Sequence, residues 1–448
     1  MRPTPSIASS LSLPITTSFA GAQALWWPSP TATPPRVVLL FIPGNPGLSS
    51  YYIDFLHSIY TSSSLKTSSV EILSVSHRGH APLPKIGSNP VWGDNKLNQA
   101  QASKGYGCTL GDQVRHKIAV VDAVNKMYNV DGKRETKVVL VGHSIGAWIA
   151  TEVLKARPDG VDGLHMLFPT LAWIGRTPNA RKIKLALLNP VSMALLSIPL
   201  LVFTLLPLWV MVWLVRLITG QPEAAALATA DLLTTRGAVF NALRMAKDEF
   251  STVQQLDAST VDSISKFTSE AAGGRVRSYW ASEDSDSWAP SWIRTQVESS
   301  LSLHRVHLPP GLGLDATRPR LGSVGAKSHV RTRSFSVSEY RSSPGSIPDL
   351  RNAKAIRKPN GEIVIEAQVN ESSSDSEDDF VSSSAAANGK PDTGASARGM
   401  QYHYGRSRAT STHCRIGMPH AFCLKHSDDM AKVVGHWIAY DHLSRNGQ

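Results

Sequence analysis

The chain has 448 residues, of which 42% are apolar and only 18% are charged, so it can bury a sizeable core while part of its length stays unpacked. Three cysteines, no glycine period and no heptad run exclude a disulfide scaffold, a collagen-like protein and a coiled coil, and they fit a reducing compartment. The formal charge of +11 permits contact with an anionic surface, but there is no zinc-spaced Cys/His set or RNA-binding aromatic motif, so nucleic acid is not the expected partner.

The N-terminal segment, residues 1–35, is rich in Ser, Thr and Pro and contains no acidic residue. This composition resembles a targeting peptide, but Arg2 is the only cation before Arg36 and Pro14 interrupts the apolar stretch. We therefore expect a partly disordered segment that leads into edge strands.

From residue 36 onward strands and helices alternate, which is typical of a mostly parallel α/β sheet with flanking helices. β-branched apolar runs predict the strands, and an apolar stripe at helical spacing predicts the first long helix. The predicted elements are strands at Arg36–Ile42 and Val70–Ser76, a helix at Leu110–Tyr128, a strand at Lys137–Val141, a helix at Ala147–Lys155, strands at Leu164–Phe168, Arg275–Trp280 and Cys414–Ile416, and a helix at Asp428–Ala439.

Two segments interrupt this alternation. Leu185–Val215 is a run of thirty-one residues without a charge. Residues 306–405 are rich in Ser, Pro and Gly, and they hold too few apolar residues to offset chain entropy, so we expect a long disordered insertion. The predicted organisation is a core in three parts (36–168, 275–305 and 406–448), with a cap or membrane-anchor insertion at 169–274.

The segment Gly142–Gly146 (GHSIG) fits G-x-S-x-G between a predicted strand and a predicted helix. This is the context of a nucleophile elbow, in which glycines flank the serine because a Cβ would clash with the neighbouring backbone. A serine hydroxyl is a weak nucleophile unless a base and an orienting carboxylate accompany it. Ser144 is therefore the predicted nucleophile, and the site should also contain an acid and a histidine.

The acid and the base are expected after the serine in chain order. Asp286 follows the predicted strand Arg275–Trp280 within a D-x-W-x-P sequence that would anchor its loop, so it is the preferred acid, with Asp284 as the alternative. His420 lies between the last predicted strand and the last predicted helix and is the predicted base. His426 is the competing histidine, and its position suits a cap of the final helix better.

Acyl transfer also requires backbone N–H groups that bind the oxyanion. One is expected from Ile145, the residue after the nucleophile, and the other from the loop Pro43–Gly47. The prolines of this loop have no N–H, which leaves Gly44, Asn45 and Gly47, and Asn45 at the tip is preferred. His77, His80 and His143 are interpreted as structural neighbours of the site. This chemistry implies no metal and no cofactor.

The motifs resemble those of the lipid droplet-associated hydrolase family. The resemblance rests on Phe41–Gly47 followed by Tyr51, Tyr52 and Phe55, and on Gly142–Trp148, Leu167–Thr170 and Pro419–Phe422. It implies an α/β-hydrolase fold, a triad of Ser144, Asp286 and His420, residence on lipid droplets and the cytosolic face of the endoplasmic reticulum membrane, and action on neutral lipid esters. The chain departs from the family in a longer acid loop and in the hundred-residue insertion between acid and base.

A bilayer-spanning helix in Leu185–Val215 would place the serine and the acid–base pair on opposite sides of the bilayer. The segment is therefore interpreted as a re-entrant hairpin, an anchor in a phospholipid monolayer or membrane surface, or a buried cap, with Pro199 and Pro207 where a hairpin would turn. The expected function is hydrolysis of a hydrophobic ester, of the sterol or acylglycerol type. The alternative is a lipid-droplet binding protein that keeps the fold with little turnover.

Overall fold

The computed structural model describes residues 14–30, 34–65, 68–83, 109–129, 134–188, 191, 202–203, 205–269, 271–282, 285–309, 312, 314 and 407–444, together with three strands between 331 and 369. The chain forms two compact units. The first comprises Met1–Ala316 and Gln401–Gln448, and the second comprises Thr317–Met400.

Twelve strands are formed by the described residues. They are β1 Ile15–Phe19, β2 Ala22–Trp27, β3 Val37–Ile42, β4 Val70–Val75, β5 Lys137–His143, β6 Gly163–Leu167, β7 Arg275–Trp280, β8 His304–Arg305, β9 Arg331–Ser336, β10 Lys354–Arg357, β11 Ile363–Val369 and β12 Ala409–His413.

The described residues form ten α-helices in the first unit. They are α1 Ile53–Thr61, α2 Leu110–Tyr128, α3 Ile145–Ala156, α4 Pro178–Leu188, α5 Leu208–Thr219, α6 Glu223–Thr234, α7 Ala238–Thr252, α8 Ala258–Phe267, α9 Ser291–Ser300 and α10 Ser427–Ile438.

The sheet of the first unit has nine strands within the described ranges, in the order β1-β2-β4-β3-β5-β6-β7-β12-β8. Strand β2 pairs antiparallel with both β1 and β4, and every other neighbouring pair is parallel. This arrangement confirms the predicted α/β-hydrolase fold. The hairpin of β1 and β2 forms one edge of the sheet, and edge strands were predicted in this N-terminal region.

Both faces of this sheet are covered by helices, which explains why its central strands are apolar at successive positions. In β3, Val38 and Leu40 pack into a cluster with α2 and α3, whereas Leu39 and Phe41 pack into a second cluster with α1 and α10. Successive side chains of a strand point to opposite faces, so one apolar run supplies both cores. All six residues of β3 are buried.

The last parallel strand differs from its prediction. The sequence predicted a strand at Cys414–Ile416, and the structure corrects it to β12, Ala409–His413. These five residues pair in register with Val276–Trp280 of β7. Their sequence, ATSTH, has little apolar character, so the pairing with β7 rather than a hydrophobic pattern makes it a strand.

The insertion predicted to be disordered contains a small antiparallel sheet in the order β10-β11-β9. Its middle strand, Ile363–Val369, is the one stretch of the insertion with apolar alternation.

The first unit also extends beyond its predicted boundary at residue 305. Four apolar side chains beyond that boundary pack against the core: Val306, Leu308, Leu312 and Leu314. Removing their apolar surface from water lowers the free energy of the folded state.

Candidate active site

The candidate nucleophile lies on a strained turn between β5 and α3. Ser144 has φ 55° and ψ −125°, a conformation that residues with a Cβ rarely adopt and that is often found at functional sites. The flanking glycines make the turn possible. A Cβ at Gly142 would lie 2.5 Å from the carbonyl oxygen of Gly146, and a Cβ at Gly146 would collide with the carbonyl oxygen of Ile42.

The structure brings Ser144, His420 and Asp286 into one hydrogen-bonded array. His420 Nε2 lies 2.8 Å from Ser144 Oγ, and His420 Nδ1 lies 2.7 Å from Asp286 Oδ2. The three residues follow β5, β12 and β7, whose carboxyl ends meet at one edge because the strands are parallel. The array therefore assembles from segments up to 276 residues apart in sequence.

The carboxylate of Asp286 is fixed by its own loop. Its Oδ1 accepts a hydrogen bond of 2.8 Å from the Trp288 amide, and only 4% of the residue is exposed. Burial raises the pKa of Asp286, but the neighbouring His420 and the amides of Trp288 and Ala289 outweigh it and hold the pKa below its ordinary value. Asp286 is therefore ionised at neutral pH and can stabilise a protonated His420.

The two competing residues are placed differently. Asp284 lies outside the described residues. His426 occupies the N-cap position of α10, and its Nδ1 lies 3.1 Å from Asp429 Oδ2. His426 therefore belongs to the start of the final helix, whereas His420 contacts Ser144.

The expected oxyanion loop passes close to the nucleophile. A Cβ at Gly44 would lie 2.9 Å from Ser144 Cβ. The Gly44 amide donates to Tyr52 Oη (3.3 Å) and the Gly47 amide donates to the Gly44 carbonyl (2.6 Å). Within the described ranges the Asn45 amide has no intramolecular acceptor, which leaves it the free donor of the three candidates.

The second expected donor, Ile145, is the first residue of α3. The first N–H groups of a helix have no acceptor within it and carry the positive end of the helix dipole. This amide is therefore placed to stabilise negative charge beside Ser144.

The Asn45 side chain has a role that the sequence did not reveal. Its Nδ2 donates to the Ala242 carbonyl (3.0 Å) and to Glu249 Oε1 (2.9 Å), both on α7. These bonds join the loop Pro43–Gly47 to α7, which lies in the segment 169–274 that the sequence predicted to be a cap or membrane-anchor insertion. Nothing in the local sequence marks Glu249, because it lies 204 residues from Asn45.

One group of side chains could in principle bind a metal. In the part of the chain that the structure describes, His165, Asp441 and His442 bring ligand atoms within 4.8 Å of one another. Both carboxylate oxygens of Asp441 already accept from Arg277, at 2.8 Å from Nε and 2.5 Å from Nη2. A divalent cation would be repelled by this buried guanidinium, so the group is explained as an ion pair between β7 and the C-terminal segment.

An apolar surface is exposed on and just before α5. We define it as Leu205, Leu208, Trp209, Trp213, Leu217 and Ile218, whose exposed fractions range from 42% for Leu208 to 81% for Leu205. The opposite side of α5 packs Met211 and Val215 against α6.

Among the helices that the structure describes, none is long and apolar enough to cross a membrane. Pro199, Leu200 and Leu201 of the predicted anchor lie outside the described residues.

The chain is similar to hydrolases named for lipid droplets. The family described as lipid-droplet associated hydrolase matches residues 35–309, more than half of the chain. The human lipid droplet-associated hydrolase is 33% identical over 149 residues, which cover 33% of this chain and 42% of that protein. The Gallus gallus lipid droplet-associated hydrolase is 30% identical over 232 residues, which cover 51% of this chain and 66% of that protein. The chain thus matches less than two thirds of the length of these relatives.

Among solved structures, the haloalkane dehalogenase DbeA from Bradyrhizobium elkani is similar with a TM-score of 0.40 and 13% identity. The match covers 64% of this chain and 85% of that one.

Proposed function

Since this chain belongs to the lipid droplet-associated hydrolase family, we propose that it is a serine ester hydrolase that acts on hydrophobic esters at a lipid surface. The observation that carries this proposal is the continuous hydrogen-bonded array Asp286–His420–Ser144 at a strained elbow. Its order and its atoms are those that nucleophilic acyl transfer requires.

In the first half of the proposed reaction, Ser144 Oγ attacks the ester carbonyl carbon while His420 Nε2 takes the hydroxyl proton. The ionised Asp286 stabilises the resulting imidazolium through Nδ1. The amides of Ile145 and Asn45 bind the oxyanion, and each such donor typically lowers the barrier by about 3 kcal/mol. His420 then gives its proton to the leaving alkoxide, so that the alcohol departs and an acyl-enzyme on Ser144 remains.

In the second half, His420 Nε2 takes a proton from a water molecule, whose oxygen attacks the acyl carbon. The Ser144 Oγ–acyl bond breaks, the carboxylic acid leaves, and the proton on His420 returns to Ser144. His420 carries each proton that moves, and water is the second substrate of the reaction.

The substrate class and the lipid surface belong to the same proposal. The apolar surface of α5 presents two tryptophans and several leucines, a composition that suits the boundary between headgroups and acyl chains. Arg216 on the same helix is also exposed; its Nη1 lies 3.2 Å from Glu223 Oε2, and its other donors can meet a phosphate headgroup. We propose that this surface rests on the phospholipid monolayer of a lipid droplet or on the cytosolic face of the endoplasmic reticulum, with a sterol or acylglycerol-type ester as substrate.

The deciding experiment is covalent labelling with a fluorophosphonate probe, combined with hydrolysis of p-nitrophenyl esters of increasing acyl length. Labelling and turnover are expected in the wild type and not in Ser144→Ala. Ser265→Ala, an exposed serine on α8, is the matched control and should behave as the wild type. Equal labelling of wild type and Ser144→Ala, or no turnover by the wild type, would favour a lipid-droplet binding protein with little activity.

A further inference from the structure

A chain of hydrogen bonds joins the three loops of the candidate active site. The Gly44 amide donates to Tyr52 Oη (3.3 Å), Tyr52 Oη lies 2.8 Å from His143 Nδ1, and His143 Nε2 lies 2.9 Å from the main-chain oxygen of His420. The chain begins beside Asn45, passes the residue before Ser144 and ends at the candidate base.

The direction of each hydrogen bond follows from elementary chemistry. A carbonyl oxygen only accepts, so His143 Nε2 carries a proton and donates it to His420. In the neutral ring the other nitrogen is then an acceptor, so Tyr52 donates its hydroxyl proton to Nδ1. The Tyr52 oxygen in turn accepts from Gly44. This order needs a neutral His143, and burial, followed by the nearby His420, lowers the pKa of His143 to about 3.

The surrounding aromatic rings hold His143 in place. Tyr52, Phe168 and Phe422 contact its ring edge to face, with ring centroids 5.6, 6.3 and 5.1 Å away. The His420 ring centroid lies 5.2 Å away. His143 is 4% exposed and Tyr52 is 5% exposed, so neither polar side chain can exchange its partner for water without opening the core.

We propose that Tyr52 and His143 are positioning residues that hold the oxyanion loop and the His420 loop in register with Ser144. His143 fixes the main chain of His420, so that the His420 ring stays between Ser144 and Asp286. Tyr52 fixes the main chain at Gly44, so that the next amide, that of Asn45, faces the developing oxyanion. This inference rests on the proposed function, because it assigns how the proposed hydrolase aligns its groups.

The test compares kcat and KM on a soluble p-nitrophenyl ester for His143→Leu, His143→Gln and Tyr52→Phe. The Gln side-chain amide can reach the position of Nε2 and still donate to His420, whereas Leu cannot. A misplaced catalytic group typically costs up to about 100-fold, so kcat should fall about 10- to 100-fold in His143→Leu, with KM changed less than about threefold. His143→Gln should recover at least about tenfold of that loss, and Tyr52→Phe should lower kcat by about 5- to 20-fold.

The matched control is Tyr128→Phe. Tyr128 is buried and its hydroxyl donates to Glu71 (2.5 Å), so this variant also loses a buried hydrogen bond, but away from the three loops. It should lower the midpoint of thermal unfolding without lowering kcat. Tyr52→Phe loses only the hydroxyl and keeps the aromatic ring in the core. If His143→Leu does not fold, the kcat of Tyr52→Phe therefore tests the positioning role.

Two outcomes would overturn the inference: kcat of Tyr52→Phe equal to that of Tyr128→Phe, or His143→Gln no more active than a folded His143→Leu. Absence of Ser144-dependent turnover in the wild type would contradict the proposed hydrolase function rather than the positioning role of Tyr52 and His143. The wild-type and Ser144→Ala measurements are therefore made first in the same assay.

Discussion

The geometry at Ser144 and His420 makes loss of either side chain the most direct test of the chemistry. Ser144→Ala and His420→Ala should each remove nearly all ester turnover, because the members of such an array act as a unit. Combining the two changes should cost little more than either alone. Turnover of His420→Ala near the wild-type rate would exclude His420 as the base.

The acid is tested by Asp286→Asn, which keeps the shape of the side chain and removes its charge. By analogy with serine proteases, kcat should fall by about 10⁴. Asp284→Asn is the matched control two residues away and should leave kcat within about twofold of the wild type. If Asp284→Asn abolishes turnover and Asp286→Asn does not, the acid is Asp284.

The buried carboxyl group of Glu249 gives a prediction about pH and stability. Burial raises the pKa of Glu249 to about 8, with a smaller raising effect from Asp248 and a lowering one from Asn45. Between its ordinary pKa and about 8 the folded protein keeps a proton that the unfolded chain has released. The free energy of unfolding should therefore fall as pH rises through this window.

Glu249→Gln should flatten that dependence, because its side chain does not titrate but still accepts from Asn45. The measurement is urea denaturation of both proteins at pH 5.5 and pH 8.5. Glu223→Gln, at an exposed position on α6, should keep the wild-type slope. Identical slopes for the wild type and Glu249→Gln would show that Glu249 does not carry the effect.

At the scale of an element, α5 is predicted to carry the contact with lipid. Replacing Trp209, Trp213 and Leu217 with Ser should lower partitioning onto phospholipid-coated triacylglycerol emulsion by at least about 100-fold, because each apolar side chain contributes roughly 1.5–3 kcal/mol when fully buried. These side chains are exposed, so the fold and turnover of a soluble ester should not change.

The control for α5 is a pair of exposed apolar residues elsewhere, Leu83→Ser and Met127→Ser. This pair should partition as the wild type does. Unchanged partitioning of the α5 variant, with soluble-ester turnover intact, would place the lipid contact in another part of the chain.

The elements also show where sequence patterns suffice. Strands β3 and β5 were predicted from apolar runs because both their faces are covered, and burial on both faces demands apolar side chains throughout. Strand β12 was predicted at Cys414–Ile416 instead of Ala409–His413, because its sequence ATSTH has no apolar run. Helix α1, whose Phe55 and Ile59 are buried, was not predicted from spacing. Nine residues give too few turns for a clear helical period.

At the scale of the whole molecule, the second unit should be dispensable for folding of the first. Deleting Thr317–Met400 should leave a protein that Ser144 labelling detects at the wild-type rate, with the midpoint of thermal unfolding changed by only a few degrees. Loop closure costs only about 0.6 kcal/mol per doubling of loop length, so the shorter connection has little effect on stability.

A longer deletion, Val306–Met400, is the control, because it also removes Leu308, Leu312 and Leu314 from the core. Leu314 is buried, and full burial of a leucine contributes roughly 1.5–3 kcal/mol, whereas Leu308 and Leu312 are partly buried and contribute less, so stability should fall by a few kcal/mol. Equal stability of the two deletions would show that these leucines do not contribute, and aggregation of the shorter deletion would contradict the independence of the first unit.

The sequence by itself determined the α/β-hydrolase fold and the family, because strand–elbow–helix patterning and the PGNPG and GHSIGAW motifs are local. It also supplied the candidates Ser144, Asp286 and His420, since each follows a strand end. Only the tertiary structure decided which groups touch. The bonds from Tyr52 to His143, from His143 to His420 and from Asn45 to Glu249 join residues 91, 277 and 204 positions apart. The contacts of His143 and His420 depend on how parallel strands place their carboxyl ends at one edge, and the bond to Glu249 depends on where α7 packs. A local pattern of residues contains neither kind of information.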